Sequence, residues 1–255
     1  MINRIKAFGI EIDPLTMSEA VDECLAVAGR RGNALPYVVT PNIDHIVNLQ
    51  GNAPFQSAYV NAALVLTDGK PVRLALSMLG HPVKEVVPGS DLVPAMFSKI
   101  SSQGLSLTVF LLGAAPGVAE RAAEVIHDRW KGVSVVGTYS PPHGFEHELD
   151  ENRKIVGLVN EANPDVLIIG LGAPKQELWV CNNFHELHAG IGLCVGATID
   201  FFAGAQVRAP EWMRNLGLEW LHRMLSQPRR LMTRYAKGAI TFPILVLREF
   251  HKCQR

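Results

Sequence analysis

The chain has 255 residues, of which 48% are apolar and 19% charged, and its 24 Lys and Arg residues are balanced by 24 Asp and Glu residues. This length suits one large α/β domain or two modest ones, and the composition excludes a disordered chain. A net charge of zero and only 7% aromatic residues argue against a general nucleic-acid binder, which would carry a basic excess. Four widely spaced cysteines without a C-x-x-C pair exclude a disulfide scaffold and fit a reducing cytoplasm.

Neither end of the sequence predicts a membrane-crossing segment. The start, MINRIKAFGIEID, has no apolar run of the length of a signal-peptide core. The apolar stretch 239–247 has nine residues and contains Pro243, whereas a spanning helix needs about 20. We therefore expect a cytoplasmic protein that is either soluble or peripheral on the membrane.

Short apolar runs alternate with helical patterns through the first 200 residues. The strand-like runs are 37–40, 63–67, 106–113, 133–138, 165–172 and 191–198. The helical patterns cover 16–31, 43–61, 70–80, 90–103, 116–130, 146–162 and 174–188. Runs that are apolar throughout are typical of parallel strands covered on both faces. The alternation predicts an α/β fold with a doubly wound, mostly parallel sheet.

The last part of the chain differs from the rest in charge. Residues 208–255 contain ten basic and three acidic residues, a net charge of +7, so residues 1–207 carry −7. This segment is helical in pattern and rich in Trp and Leu, with predicted breaks at Pro228 and Pro243. We predict a body, 1–207, and a helical appendage, 208–255. The appendage either packs on the core or faces a membrane or the active site.

Two glycine-rich turns follow predicted strands. GAAPG begins at Gly113, and GLGAPKQE contains Gly172 and Lys175. Glycine lets a ligand approach the backbone, and the following helix N-terminus offers N–H groups, so the pair indicates a nucleotide-diphosphate site. Neither turn is a G-x-G-x-x-G or Walker A motif, and helix capping is the better explanation of each turn taken alone.

The candidate for acid–base chemistry is Asp68, in VLTDGK directly after a strand. It is either a turn residue or a carboxylate at the ligand edge of the sheet, able to act as a general base. His143 and His147 are spaced like a metal pair, but spacing suggests no third ligand, and the chain has no D-x-D motif. We therefore expect no metal.

Taken together, several runs resemble the TagA/WecG/CpsF glycosyltransferases, glycosyltransferase family 26. The runs are TPNIDHIVNLQ, LTDGKPV, VPGSDL, FLLGAAPGVAE, NPDVLIIGLGAPKQELWV and residues 195–235, the last with R-A-P, E-W, P-R-R and R-Y in order. The resemblance implies an inverting transfer, without metal or cofactor, from a UDP-sugar to a polyprenyl-diphosphate-linked sugar. It also implies a Rossmann-like fold with a C-terminal appendage that completes the site and touches the inner face of the bacterial membrane.

By position, the resemblance assigns roles to individual residues. Asp68 matches the general base of the T-D-G motif. The donor-binding set is Thr40, Asn42, Gly113, Gly172, Lys175 and Gln176, in which the two glycines and the lysine come from the glycine turns. The appendage positions that match are Arg208, Arg223, Arg230 and Arg234. Val86 stands where many members have Arg, so Lys70 and Arg73 are the candidates to replace that cation at a diphosphate.

The expected partners are a UDP-sugar donor, a polyprenyl-diphosphate-linked acceptor and an anionic membrane surface, with self-association left open and no nucleic acid. The expected process is surface-polysaccharide, exopolysaccharide or teichoic-acid assembly, with an N-acetylmannosamine, mannosaminuronate or glucose nucleotide as donor. One alternative is an NAD(P)-dependent oxidoreductase, which would need a first-strand G-x-G-x-x-G that is missing. The other is a non-catalytic nucleotide-sugar sensor, against which the presence of Asp68 argues.

Overall fold

A six-stranded parallel sheet forms the centre of the protein. The computed structural model describes residues 3–226 and 228–253, apart from the side chains of Asn215, Leu216, Arg223, residues 228–231, Thr233, Arg234 and Cys253. The sheet strands are β3 (Tyr37–Val39), β4 (Leu64–Val65), β5 (Leu107–Gly113), β6 (Val133–Tyr139), β7 (Val166–Gly170) and β8 (Ile191–Cys194). Their order is β4-β3-β8-β7-β5-β6, and every pair is parallel. The predicted α/β fold is confirmed: five of the six predicted runs contain a strand, and the sixth, 133–138, ends one residue before β6 does.

Helices connect these strands and extend beyond the last one. They are α1 (Met17–Ala28), α2 (Ile43–Leu49), α3 (Ala53–Val60), α4 (Lys70–Met78), α5 (Gly89–Gln103), α6 (Val118–Arg129), α7 (Leu149–Ala162), α8 (Lys175–Asn183), α9 (Thr198–Phe202), α10 (Glu211–Leu216), α11 (Glu219–Ser226) and α12 (Pro228–Cys253). A short 3₁₀ turn, Phe145–His147, precedes α7.

Two apolar layers sandwich the sheet because successive strand side chains point to opposite faces. In β7, Leu167 and Ile169 enter one layer, and Val166 and Ile168 enter the other. The first layer receives side chains of α2, α3, α4, α7, α8 and α12, and the second those of α1, α5, α6 and α9. All four β7 side chains are fully buried, as expected for a strand that is apolar throughout.

The connections after neighbouring strands leave toward opposite faces. The chain passes from β5 to α6 in the second layer, but from the adjacent β7 to α8 in the first. Likewise, β3 is followed by α2 in the first layer, whereas its neighbour β8 is followed by α9 in the second layer. Such switch points open a crevice at the carboxyl ends of the strands, so the topology directs a ligand to that edge.

Two helix predictions were wrong in detail. The single predicted helix 43–61 is two helices, because Gly51 adopts φ +82° and the side chain of Asn52 starts a new helix by accepting from the N–H of Phe55. The predicted break at Pro243 is absent: α12 runs through this residue. Beside it Phe242, Leu245 and Val246 are buried, and this packing supports the helix where proline removes one backbone hydrogen bond.

The N-terminal hairpin was not predicted. It consists of β1 (Ile5–Ala7) and β2 (Ile10–Ile12), which pair antiparallel. Asp13 follows β2 and is buried, where its carboxylate accepts from the N–H of Val65 at 2.8 Å and from Arg4 Nε at 2.9 Å. Burial raises the pKa of Asp13 despite these hydrogen bonds. Asp13 therefore fastens the hairpin to β4, whereas the cap of α1 is Thr16.

None of the helices in the described residues combines the length and the apolar character needed to cross a bilayer.

The glycine at the end of β5 is predicted to be essential for folding. Gly113 has φ +118°, and an added Cβ would lie 2.5 Å from the carbonyl oxygen of Gly170. Gly113→Ala should therefore destabilise the protein by about 2 kcal/mol or more. Gly157, exposed inside α7 with nothing within 4 Å of an added Cβ among the described atoms, is the matched control. Gly157→Ala should stabilise by about 0.5–1 kcal/mol. Urea unfolding measures both, and equal midpoints for the two variants would contradict the close approach.

Candidate active site

The strand order gathers the predicted strand-end residues along one edge of the sheet. From the β4 side toward β5, the ends carry Asp68, Thr40, Gly196, Gly172 and Gly113. Backbone bonds join neighbouring ends: the N–H of Asp68 donates to the carbonyl of Pro41 at 3.0 Å. The predicted base and the predicted donor-binding residues therefore share one edge.

Three strand ends approach each other too closely for side chains. A Cβ at Gly113 would lie 2.5 Å from the carbonyl oxygen of Gly170, and a Cβ at Gly170 would lie 2.9 Å from that of Gly196. Both distances are shorter than normal Cβ contacts. The ends of β5, β7 and β8 therefore pack backbone against backbone, and Gly113 is buried among them, whereas Gly172 and Gly196 stay partly exposed. An added Cβ at Gly172 or Gly196 would meet no described atom within 4 Å, so a ligand can approach the backbone there.

The side chain of Gln176 holds two of these turns together. Its Oε1 accepts from the N–H groups of Gly172 and Gly196, each at 3.2 Å, and its Nε2 donates to Glu177 Oε1 at 2.7 Å. Gln176 and Glu177 are both buried in the first turn of α8. The structure thus places Gln176 as a residue that positions the glycine turns.

Several helices that begin at this edge lack a side-chain cap. The N-caps of α4, α5, α6 and α8 are Gly69, Pro88, Gly117 and Pro174, and none makes a side-chain capping bond in the described structure. The first N–H groups of a helix need partners, and the helix dipole makes this end electropositive. These ends together favour an anionic ligand.

Thr40 and Asn42 lie at the end of β3. Thr40 is buried, and the Asn42 side chain caps α2 by accepting from the N–H groups of Asp44 at 3.0 Å and His45 at 3.3 Å. His45 is itself buried and its Nδ1 lies 2.7 Å from the hydroxyl of Tyr59. The cap and this buried contact hold the Asn42 turn in place.

Asp68 stands half-buried between β4 and α4. Two backbone bonds hold its turn: its own N–H donates to Pro41, and the carbonyl of Thr67 accepts from the N–H of Val87 at 2.7 Å. Gly69 follows with φ +90°, a conformation that favours glycine. The turn therefore presents a carboxylate on a rigid support at the ligand edge.

Arg208 reaches from the segment after α9 to the start of α5. Its Nη1 lies 2.7 Å from Asp91 Oδ1, and its Nη2 donates to Ser90 Oγ at 3.0 Å. Arg214 approaches the same Asp91 oxygen at 3.9 Å. Ser90 and Asp91 belong to the VPGSDL run, so this motif anchors the appendage to the body.

The anchored arginine is within electrostatic reach of Asp68. Partial burial by itself would lower the pKa of Arg208, but the hydrogen bond and charge of Asp91, with the charges of Glu219 and Asp68, raise it above its ordinary value. Arg208 therefore stays cationic at the start of α5, and its charge interacts with that of Asp68.

Lys175, the first residue of α8, is engaged with the loop after β6. Its Nζ lies 2.8 Å from Glu146 Oε1 and 5.5 Å from the ring centre of Phe145. The hydrogen bond from Lys175 is the main cause that lowers the pKa of Glu146. The predicted donor-binding cation is therefore present at the edge, with a carboxylate as its partner.

Val86 occupies the position at which an arginine was expected, and its side chain is half-buried. Its neighbour Val87 donates its N–H to the carbonyl of Thr67, just after β4. The two candidate replacements, Lys70 and Arg73, lie exposed in the first turn of α4. Arg208 supplies a cation near Asp68 in addition to these. The side chains of Arg223, Arg230 and Arg234 lie outside the described residues.

Sequence reasoning missed the residues that hold others in place. Asp91 lies in a run that was noticed, but its partner Arg208 is more than 100 positions away. Glu146 is the first residue of the predicted helical pattern 146–162 but lies in the 3₁₀ turn before α7, and His45 is one histidine among nine. Only the fold brings such pairs together. Among the described residues, no three His, Cys, Asp or Glu side chains cluster in a way that could hold a metal ion.

Comparison with known proteins matches this arrangement to one family. The N-acetylglucosaminyldiphosphoundecaprenol N-acetyl-beta-D-mannosaminyltransferase of Staphylococcus aureus strain MW2 is 27% identical over 228 residues, which cover 89% of this chain and 87% of the relative. Proteins of the same name from strains NCTC 8325 / PS 47 and COL match with the same identity and coverage. The Glycosyl transferase WecG/TagA/CpsF family model matches residues 5–255. With a match over nearly its whole length, the chain belongs to the WecG/TagA/CpsF family of glycosyl transferases.

Proposed function

We propose that this glycosyl transferase moves a sugar from a UDP-sugar to a polyprenyl-diphosphate-linked sugar in the assembly of a bacterial surface polymer, with inversion and without a metal ion. The name of the Staphylococcus relatives gives N-acetylglucosaminyldiphosphoundecaprenol as acceptor and an N-acetyl-β-D-mannosaminyl group as the group transferred. UDP-N-acetylmannosamine and that lipid are therefore the first pair to test. Membership in the family removes the oxidoreductase alternative.

The observation that carries the proposal is that the ligand edge holds both a carboxylate, after β4, and a cation fixed at the start of α5. Asp68 sits at the end of β4, and Arg208 is held within its electrostatic reach by Asp91 and Ser90. An inverting transfer needs a base for the acceptor hydroxyl and positive charge for the departing diphosphate. In this proposal Asp68 is the base, and Arg208 provides the positive charge.

The reaction follows from this placement. Asp68 accepts the proton of the acceptor hydroxyl as its oxygen bonds to the anomeric carbon of the donor. The bond from that carbon to the UDP oxygen breaks, and UDP leaves with the electron pair. Arg208 and the uncapped N-termini of α4, α5, α6 and α8 stabilise the charge that develops on the diphosphate. Lys70 and Arg73, on α4, add positive charge near the same place.

The donor side is assigned to the two glycine turns. We place the donor diphosphate at the turns of Gly113 and Gly172, of which the second is partly exposed and is held by Gln176. Lys175 at the start of α8 would exchange its partner Glu146 for a donor phosphate oxygen. Thr40 and Asn42, at the neighbouring strand end, are placed against the donor sugar.

The appendage, 208–255, is assigned two tasks: to supply Arg208, Arg223, Arg230 and Arg234 to the diphosphates, and to bind the anionic inner face of the membrane. Basic residues near such a surface add about 1 kcal/mol each. Deleting the appendage is a poor test, because Phe242 and Leu245 of α12 are buried in the core and their loss would uncover it. Point variants separate the tasks.

Asp68→Asn is expected to lower turnover by about 10²–10⁴-fold, the usual effect of removing a general base. Donor binding should change little, since the amide keeps the shape of the carboxyl group. Turnover is measured with a short-chain, water-soluble acceptor, and UDP binding by calorimetry. Asp150→Asn, which alters a fully exposed carboxylate, is the control. Wild-type turnover in Asp68→Asn would refute the role of the base, whereas UDP-sugar binding without any turnover by the wild-type protein would favour the nucleotide-sugar sensor.

Turnover is expected to persist in excess EDTA, because cations and helix N-termini carry the leaving-group charge in this proposal. The measurement compares rates before and after dialysis against EDTA. Loss of activity that Mn²⁺ or Mg²⁺ restores would show a metal requirement.

Arg208→Gln should lower kcat on the soluble acceptor by about 10–100-fold, the value of a charge-assisted hydrogen bond to the leaving diphosphate. Because the variant leaves Asp91 with one cation fewer, its thermal melt is compared with that of wild type. Arg248→Gln, an exposed change on α12, should keep full activity. If both variants turn over at the wild-type rate, Arg208 has no part in the chemistry.

A further inference from the structure

Helix α4 of the body has an outer face that is unusually apolar. Val72, Ala75 and Leu76 point into the core, whereas Leu74 and Met78 are 63% and 61% exposed. The two exposed side chains are four residues apart and lie on the same side of the helix. Lys70 and Arg73 are also exposed, in the first turn. We call these four residues the α4 outer face.

The α4 outer face adjoins the appendage. Gly217, which ends α10, packs against Lys70: a Cβ added at Gly217 would lie 3.1 Å from the Cβ of Lys70. The adjoining helices α10 and α11 expose Trp212, Trp220 and Leu225. Apolar exposure therefore continues from the body into the appendage at the start of α4.

The residues of this surface indicate that it binds an anionic membrane. Leu and Met side chains flanked by Lys and Arg, with Trp nearby, are the composition of segments that lie in the headgroup region of a bilayer. There the apolar side chains enter the acyl boundary, and the long cationic side chains extend to the phosphates. The net +7 of residues 208–255 adds attraction to anionic lipid.

Helix α4 lies next to the carboxylate that is proposed as the general base. The helix begins two residues after Asp68, so its outer face lies beside the strand end at which the acceptor hydroxyl is to be deprotonated. We propose that the α4 outer face is a second membrane-contact surface, on the body itself, which lies on an anionic bilayer together with the appendage. The inference rests on the proposed function for its orientation, since a lipid-linked acceptor must reach Asp68 from the bilayer.

The test compares two double variants of the full chain. Leu74→Gln/Met78→Gln removes the apolar side chains and keeps residues that favour a helix. Val60→Gln/Leu105→Gln makes the same kind of change at two exposed apolar positions that precede β4 and β5, at the opposite edge of the sheet. Each protein is mixed with vesicles of phosphatidylglycerol and phosphatidylcholine, and the bound fraction is measured by flotation without any sugar donor.

We expect the Leu74/Met78 variant to lose about tenfold in partition to these vesicles, which corresponds to about 1.4 kcal/mol, while the control matches wild type. Both should melt like wild type and keep turnover on the water-soluble acceptor. Wild-type partition in the Leu74/Met78 variant, or an equal loss in both variants, would overturn the proposal. So would a wild-type dimer that this variant converts to a monomer while vesicle binding is unchanged, since the face would then bind a second copy.

The outcome is separable from that of the proposed function. Absence of glycosyl transfer by the wild-type protein in every assay would refute the proposed function, whereas partition measured without substrate reports only on the surface.

Discussion

The close approach of three strand ends governs the rest of the site. Gly113, Gly170 and Gly196 bring the ends of β5, β7 and β8 so near each other that no side chain fits between them. The glycines at these strand ends carry no titratable group. The polar groups that the proposed reaction uses therefore come from the surrounding elements: Asp68 from the turn after the edge strand β4, Lys175 from α8 and Arg208 from beyond the last strand. This division explains why the polar chemistry is spread over distant parts of the sequence.

The charges of the chain are divided between the body and the appendage. The chain as a whole is neutral, yet its last 48 residues are strongly basic and the body is acidic. One carboxylate of the body, Asp91, holds Arg208 by a short ion pair and lies near Arg214 as well. A partly exposed ion pair contributes little to stability. Its contribution here is geometric, because it fixes one cation of the appendage at the start of α5.

The sheet was predictable because its strands are apolar throughout, and β5, β6 and β7 were located to within about two residues. Asp68 and the glycine turns were predictable because strand ends of a parallel sheet meet at one edge. Features that depend on a single residue were not predictable from the sequence. Gly51 divides a helix whose pattern looked continuous, and core packing carries α12 through Pro243. The contact of Gln176 with two N–H groups and the pairing of Lys175 with Glu146 depend on side-chain directions that periodicity does not encode.

The appendage cannot be treated as a detachable anchor. Phe242 packs beside Phe8 of the hairpin turn with ring centres 5.8 Å apart, and Glu249 accepts a hydrogen bond from the N–H of Phe8. Earlier in the same helix, a Cβ at Gly238 would lie 3.1 Å from Ile43, the first residue of α2. That residue follows Asn42 directly, so α12 braces the turn at the end of β3 where the donor sugar is placed. A displacement of the appendage would consequently reach the strand ends through two contacts, that of Arg208 with α5 and that of α12 with α2. If the appendage binds a membrane as proposed, that contact would act on the same packed unit that holds the strand ends.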